Sequence, residues 1–162
     1  MHSRGGANHD IVVPNVPGEG VASLSFHTLQ SGSYHLASGS WSKHISFWTF
    51  DYSSGAQAKL QTTRDAPVLC TDFTPDGSFV AAGGCDNMLK LWDLAANKQI
   101  QIGAHQAPIK EVYCISNDGN LFVTGGWDSC VKYWDRRQQK EVAHVPLNDK
   151  VFAMVVVGGT AF

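Results

Sequence analysis

Short stretches of alternating apolar and polar residues recur along the chain, and each is bounded by Gly, Pro, Asn or Asp. One of them is PVLCTDF at 67–73, followed by the turn sequence TPDG, in which Gly77 can take a positive φ. Such stretches are typical of β-strands with one buried face. The pattern predicts strands at 21–26, 34–39, 45–50 and 58–61, at 67–73, 79–83, 88–93 and 99–102, at 108–115, 121–125, 131–135 and 141–145, and a further strand at 150–155.

One phrase occurs three times and sets the period of these strands. It reads GSWSKHISFW at 39–48, GGCDNMLKLWD at 83–93 and GGWDSCVKYWD at 125–135. Its last tryptophans, Trp48, Trp92 and Trp134, are 44 and 42 positions apart. A repeat of roughly 40–45 residues that ends on Trp-Asp is the signature of a four-stranded β-propeller blade. We therefore predict an all-β fold, a WD-repeat β-propeller.

The repeats also divide the chain into parts. Pro67 and Pro108 are 41 positions apart, each just before the first strand of its copy, where a missing backbone N–H is tolerated. The predicted parts are an N-terminal arm at 1–16, blade one at 17–62, blade two at 63–103, blade three at 104–146 and the start of a fourth blade at 147–162.

Composition and charge exclude several classes of function. The net charge of −2 gives no overall attraction to nucleic acid or to anionic membranes. The four cysteines show no CxxC spacing and the seven histidines are scattered, so we expect no metal site and no cofactor. The longest apolar run, 151–157, is too short to span a bilayer, and the N-terminus has no apolar signal segment. We expect an intracellular protein that does not insert into membranes.

Four side chains of the third repeat can form a chain of hydrogen bonds. His105 precedes the first strand, Thr124 ends the second, Asp128 lies in the turn and Trp134 ends the third. The carboxylate can accept from the imidazole, the imidazole from the hydroxyl, and the hydroxyl from the indole N–H. A catalytic triad is the alternative interpretation, but the repeat explains the spacing and no exposed nucleophile follows. We interpret the set as a structural network that stiffens the blade.

The other two blades carry only part of this set. Blade two keeps Asp86 and Trp92, and blade one keeps Ser38 and Trp48. The other positions hold Arg64 and Ala82 in blade two, and Ser42 stands in place of the aspartate in blade one. We expect these networks to be incomplete and blade three to be the most rigid. No nucleophile elbow, phosphate-binding glycine loop or HExxH motif occurs, so we predict no catalytic residues and no enzymatic activity.

Two tryptophans occupy the same place in the repeat, the turn between the second and third strands. They are Trp41 and Trp127, and blade two has Cys85 there. Such turns lie on the rim of a propeller, where a large aromatic side chain has little core to enter. Two interpretations stay open: packing against loops of the neighbouring blade, or binding of a partner, since tryptophan is enriched at interface hot spots.

The repeat phrases, together with APVLCTDF at 66–73 and NKQIQIGAHQAPIK at 97–110, resemble the WD-repeat mRNA export factors of the nuclear pore, the Rae/Gle branch. The resemblance covers residues 8–157, and the Bub-type spindle checkpoint propellers are the nearest related family. It implies a seven-bladed scaffold, of which this chain would hold about three and a half blades. It also implies that Trp41 and Trp127 contact a GLEBS-type nucleoporin segment.

The resemblance implies a function as well. It predicts a non-enzymatic scaffold for mRNA export at the nuclear pore, present in the nucleus, at the nuclear envelope and in the cytoplasm. Expected partners are a nucleoporin with a GLEBS-type segment, mRNA or single-stranded RNA contacted directly or through that nucleoporin, and spindle proteins. The alternative is a WD-repeat scaffold of the mitotic spindle checkpoint.

Overall fold

Three four-stranded antiparallel sheets follow one another along the chain in the computed structural model, which describes residues 10–29, 31–157 and 160–161. The first sheet contains β1 (Val21–Thr28), β2 (Tyr34–Ser40), β3 (His44–Asp51) and β4 (Gly55–Thr63). The second contains β5 (Val68–Phe73), β6 (Phe79–Gly84), β7 (Met88–Asp93) and β8 (Lys98–Ala104). The third contains β9 (Ile109–Cys114), β10 (Leu121–Gly126), β11 (Cys130–Asp135) and β12 (Lys140–Pro146).

Each sheet is an antiparallel meander whose strands pair in chain order. We call the three sheets blades one, two and three. The turn between the second and third strands of each blade contains a residue with positive φ at the same place. These residues are Lys43, Asn87 and Ser129, with φ of 68°, 65° and 58°. The prediction of an all-β fold built of four-stranded propeller blades is confirmed.

The blades pack face against face, and their first strands lie side by side, with β5 between β1 and β9. We call the side of a blade that meets the following blade its forward face and the opposite side its rear face. Between blades one and two, the buried residues include Ala37, Ile45, Phe47, Val68, Phe73 and Val80. Between blades two and three, they include Cys70, Leu89, Leu91, Ile109, Val112 and Phe122.

A glycine at the end of each second strand makes this close packing possible. A Cβ on Gly39 would lie 2.6 Å from Val68 Cγ1, and one on Gly83 would lie 2.5 Å from Ile109 Cγ2. Such distances are shorter than any side chain tolerates, so the first residue of the next blade needs a glycine beneath it. Gly125 has the same relation to Val151, at 2.6 Å from Cγ1.

The predicted strand at 150–155 is wrong. This segment packs on blade three, with Val151 and Met154 against Val123, but it has no strand beside it among the described residues. Two of its backbone groups form hydrogen bonds with blade three instead. The Val151 N–H donates to the Gly126 carbonyl at 3.1 Å, and the Tyr113 hydroxyl donates to the Met154 carbonyl at 2.8 Å. The only further pairing described is short, between β13 (Val156–Val157) and β14 (Thr160–Ala161).

Part of the predicted arm can be described. Residues 1–9 lie outside the described part of the chain, and residues 10–16 carry no strand. The Trp48 indole N–H donates to the Pro14 carbonyl at 2.7 Å, which ties the arm to blade one. No helix long and apolar enough to cross a membrane occurs in the described ranges.

Candidate partner-binding site

The turns between second and third strands lie at one edge of the three blades. We call this edge, residues 41–43, 85–87 and 127–129, the turn edge. The first backbone N–H of each turn donates to the carbonyl of the residue one before its blade's first strand. The three bonds are Trp41 to Gly20 at 3.0 Å, Cys85 to Pro67 at 2.9 Å and Trp127 to Pro108 at 2.8 Å. The repeat therefore holds Trp41, Cys85 and Trp127 in the same backbone setting.

The two turn tryptophans share this edge but differ in surroundings. Trp41 is 48% exposed, and its ring lies near Gly20, where a Cβ would be 3.6 Å from Trp41 Cδ1. Trp127 is half-buried, and its indole nitrogen is buried with no hydrogen-bond partner among the described residues. A buried, unpaired N–H costs about 1–3 kcal/mol. A bound segment that offered an acceptor there would recover that cost.

Behind Trp127, the four network side chains of blade three lie together. His105 Nδ1 is 2.8 and 2.9 Å from the two Asp128 carboxylate oxygens, and His105 Nε2 is 2.7 Å from Thr124 Oγ1. The Trp134 indole N–H donates to the same hydroxyl oxygen at 2.7 Å. The Gln106 backbone N–H donates to Asp128 at 2.9 Å. Asp128 directly follows Trp127, so the network fixes the turn that carries this tryptophan.

A neutral imidazole satisfies all of these groups. The Thr124 oxygen accepts from the indole and can donate its own proton to His105 Nε2, while Nδ1–H donates to Asp128. Burial lowers the pKa of His105 and outweighs the opposing effect of its hydrogen bond to Asp128 and of that residue's charge. Burial raises the pKa of Asp128, but the bonds from His105 and Gln106 outweigh it and leave the pKa lowered.

This geometry does not suit a catalytic triad. The Thr124 side chain is fully buried, and its oxygen is engaged by both His105 and Trp134. A nucleophile must face the substrate, and this hydroxyl faces only its own blade. The described residues also contain no group of three or more His, Cys, Asp and Glu that could hold a metal ion.

Blade two closes its turn with a different pair, which corrects the expectation of an incomplete network there. Arg64 occupies the His105 position, and its guanidinium donates to both Asp86 carboxylate oxygens at 2.6–3.0 Å. It also donates to the Ala82 carbonyl at 3.2 Å and the Met88 carbonyl at 2.9 Å. The ion pair is almost fully buried. Trp92 is not part of this set, because its indole N–H donates to Asn97 Oδ1 at 3.0 Å.

Blade one has the least complete set. The Ser42 hydroxyl, in the place of Asp128, is 2.7 Å from Ser40 Oγ and 3.2 Å from His44 Nδ1. The Ser38 hydroxyl, at the Thr124 position, is buried without a hydrogen-bond partner in the described chain. The Trp48 indole N–H is bonded to the arm, as described above. The turn that carries Trp41 is therefore held by short local contacts.

One partly buried acid on the inner strands was missed by the sequence analysis. Asp72 on β5 accepts a hydrogen bond from the Cys114 backbone N–H of β9 at 2.8 Å and so joins blades two and three. Burial raises the pKa of Asp72 to about 6, against the opposing bonds from the Cys114 and Phe73 N–H groups. An aspartate inside an otherwise buried strand was the available signal.

The chain matches the WD domain, G-beta repeat family over residues 57–93 and 97–135. Each matched segment begins in or just before the fourth strand of one blade and ends with the third strand of the next. The repeat unit of the family thus links adjacent blades.

Several curated relatives are similar to most of the chain. A protein named mRNA export factor from Macaca fascicularis is 35% identical over 106 residues, 65% of this chain and 29% of that protein. Its namesake from Bos taurus is 36% identical over the same shares. Protein Rae1 of Drosophila melanogaster is 31% identical over 107 residues, 66% of this chain and 31% of that protein. The chain thus spans less than a third of these relatives' length in the matched region.

Proposed function

Because this chain is a WD-repeat protein similar to mRNA export factors, we propose that it is a non-enzymatic scaffold in mRNA export from the nucleus. In this proposal it binds a GLEBS-type nucleoporin segment across the turn edge, through Trp41 and Trp127. Its places of action are the nucleus, the nuclear pore and the cytoplasm. RNA is contacted directly or through the nucleoporin.

The placement of the two tryptophans is the observation that carries this proposal. Both lie in equivalent turns at one edge, tied by equivalent backbone bonds. Trp41 offers an exposed ring face, and Trp127 offers a buried indole N–H that lacks an acceptor among the described residues. Partly buried aromatic side chains with a free polar group suit hot spots, which combine apolar contact with one directed hydrogen bond.

The support behind Trp127 favours binding over a purely structural role for its turn. Asp128 is held by His105 and by the Gln106 N–H, so the turn needs no contribution from the indole. A turn that is already ordered loses little conformational entropy when a segment binds, which improves affinity. The network thus acts as a positioning element for the proposed site.

Titration of a GLEBS-type nucleoporin peptide against the purified chain tests the proposal. We expect Trp41→Ala or Trp127→Ala to weaken binding by roughly 2 kcal/mol or more, about thirtyfold in affinity. Tyr52→Ala is the matched control, because Tyr52 is an exposed aromatic residue in the β3–β4 turn, at the opposite edge of blade one. Its affinity should equal that of the parent. Unchanged affinity in both tryptophan variants would refute the assignment.

Affinity purification from cells separates the proposal from the checkpoint alternative. Nucleoporins should dominate the proteins recovered with the tagged chain and should be lost with Trp127→Ala. Recovery of spindle checkpoint kinases without nucleoporins would overturn the mRNA export function.

A further inference from the structure

Two histidines lie side by side at the interface between blades one and two. His27 on β1 pairs with His35 on β2, and the two ring centroids are 6.0 Å apart. Both rings lie on the forward face of blade one, because His35 is two positions from Ala37, which is buried in this interface. We call them the histidine pair. They lie at the edge of the blades opposite the turn edge.

Aromatic side chains of both blades contact the histidine pair. The ring centroid of His35 is 4.9 Å from that of Phe47 in blade one and 6.1 Å from that of Phe73 in blade two. The centroid of His27 is 5.8 Å from that of Phe73. Both phenylalanines belong to the buried core between the blades. A neutral imidazole suits this setting, whereas an imidazolium would lose part of the hydration that its charge needs.

The backbone of blade two lies directly against His27. A Cβ on Gly77, in the turn between β5 and β6, would be 2.6 Å from His27 Cδ2 and 2.8 Å from His27 Nε2. Gly77 also has a φ of 69°, which glycine adopts without strain. The imidazole of blade one therefore rests on a turn of blade two. Hydration of this side of the ring requires the turn to move away from it.

One nitrogen of His35 is buried without a hydrogen-bond partner in the described part of the chain. This nitrogen is Nδ1. A neutral ring can leave Nδ1 unprotonated, but an imidazolium carries an N–H on both nitrogens, so one donor would be buried without an acceptor. Burial and, second, the charge of His27 lower the pKa of His35. The folded protein therefore resists a proton on this ring.

The acids on the strands and the turn that contact the histidine pair are engaged elsewhere. Asp51, at the end of β3, and Asp76, in the turn that holds Gly77, accept hydrogen bonds from groups of their own turns. Asp72 on β5 accepts from the Cys114 N–H of blade three. The other titratable residue of β3, His44, lies at its opposite end, beside the turn edge. A charge on the pair would thus find no acidic partner in place.

We propose that the histidine pair is a proton-sensitive contact, through which mild acidification loosens the interface between blades one and two at this edge. A proton on either ring places a charge beside Phe47 and Phe73, and a second proton adds repulsion between the two rings. The turn that holds Gly77 then separates from β1, and the rings gain water. This contact lies opposite the turn edge and does not depend on the proposed nucleoporin site.

Hydrogen exchange of backbone amides tests the proposal at about pH 7 and about pH 5.5, on either side of the ordinary histidine value. An opening that takes up one proton becomes up to about tenfold more frequent for each pH unit below that value. After correction for the intrinsic exchange rate, segments 74–80 and 33–38 should therefore exchange roughly tenfold faster at the lower pH. His35→Phe keeps an aromatic ring without a titrating group and should abolish most of this acceleration. His144→Gln, at an exposed histidine of blade three, is the matched control and should keep it.

Two results of this experiment would overturn the proposal. One is acceleration that is absent in the parent or equally large in His35→Phe. The other is acceleration spread evenly over all three blades, which would indicate global unfolding instead of a local opening.

An NMR titration of the imidazole signals gives a second readout in the parent chain, so the proposal stays testable if His35→Phe fails to fold. His35 should take up its proton below the ordinary histidine value of about pH 6.5. In His27→Asn its midpoint should rise, because the neighbouring charge is gone. A His35 midpoint at or above the ordinary value in the parent would overturn the proposal.

Discussion

Thr124→Val probes the blade-three network with the smallest change of shape. The substitution keeps a β-branched side chain at a fully buried position and replaces only the hydroxyl by a methyl group. That hydroxyl is 2.7 Å from both His105 Nε2 and Trp134 Nε1. Both nitrogens would then be left inside the blade without a partner.

The cost follows from these two unpaired groups. Each buried polar atom that loses its partner costs about 1–3 kcal/mol, so the free energy of unfolding should fall by about 2–6 kcal/mol. For a chain of this length, that corresponds to a fall in Tm of roughly 10 °C. The added methyl group offsets little, because the site is already closely packed.

Thermal and urea unfolding of the parent and the variant measure this loss. Thr71→Val is the matched control, since Thr71 is also buried but its hydroxyl is 3.0 Å from the hydroxyls of Ser23 and Ser25. Those serines are only partly buried and can bind water instead, so the control should lose less than about 1 kcal/mol. Equal losses in the two valine variants would show that the network contributes nothing special to stability.

Three further predictions concern the other supports of the blades. Trp134→Ala should cost roughly 3–5 kcal/mol, because it leaves a cavity between blades two and three; a loss below 1 kcal/mol in urea unfolding would contradict the assignment to the core. Arg64→Ala should cost about 3–5 kcal/mol because it leaves the buried Asp86 carboxylate without its partner, and Arg64→Lys should recover part of this loss in the same assay. Asp72 binds a proton near pH 6 when folded and near pH 3.8 when unfolded, so its contribution makes the fold more stable as pH falls through this window, by about 3 kcal/mol at most. Asp72→Asn should remove that gain, and an unchanged pH profile of unfolding would show that the carboxyl does not titrate this way.

The strands could be predicted well because every copy of the repeat packs in the same way. Each copy must place a tryptophan on the third strand opposite an apolar residue on the second, and a glycine where the next blade presses closest. These requirements produce a pattern visible in the sequence alone. The resulting pairs are Leu36 with Trp48, Val80 with Trp92 and Phe122 with Trp134.

The segment at 150–155 shows where such a pattern fails. Its apolar residues suit the start of an inner strand, and Val151 does occupy the place over Gly125 that Val68 and Ile109 hold over their own glycines. A strand, however, is defined by hydrogen bonds to a neighbour, and no neighbouring strand of its own blade lies beside it in the described chain. The apolar packing could be predicted, whereas the pairing depended on what else lies nearby.

Arg64 shows a second limit, because a residue that breaks a motif can still perform its task. In the sequence, the arginine at the position of His105 suggested that blade two lacks one member of the network. Yet a guanidinium has five N–H donors in a fixed plane, enough to hold the Asp86 carboxylate and reach two backbone carbonyls as well. The available signal was the pair itself, since Arg64 and Asp86 stand at the repeat positions of His105 and Asp128.

The His105 network of blade three and the Arg64–Asp86 pair of blade two hold equivalent turns, and only the first contains a histidine. A neutral imidazole satisfies the blade-three network, and burial lowers the pKa of His105, so its contribution to stability is complete at neutral pH. As the pH falls below the ordinary histidine value of about 6.5, the unfolded chain takes up a proton that the folded network resists, and stability is lost. The Arg64–Asp86 pair of blade two contains no histidine. The turn bearing Trp127 is therefore the one whose support includes a histidine and weakens on mild acidification. If a partner binds at Trp127 as proposed above, its affinity should therefore fall on mild acidification.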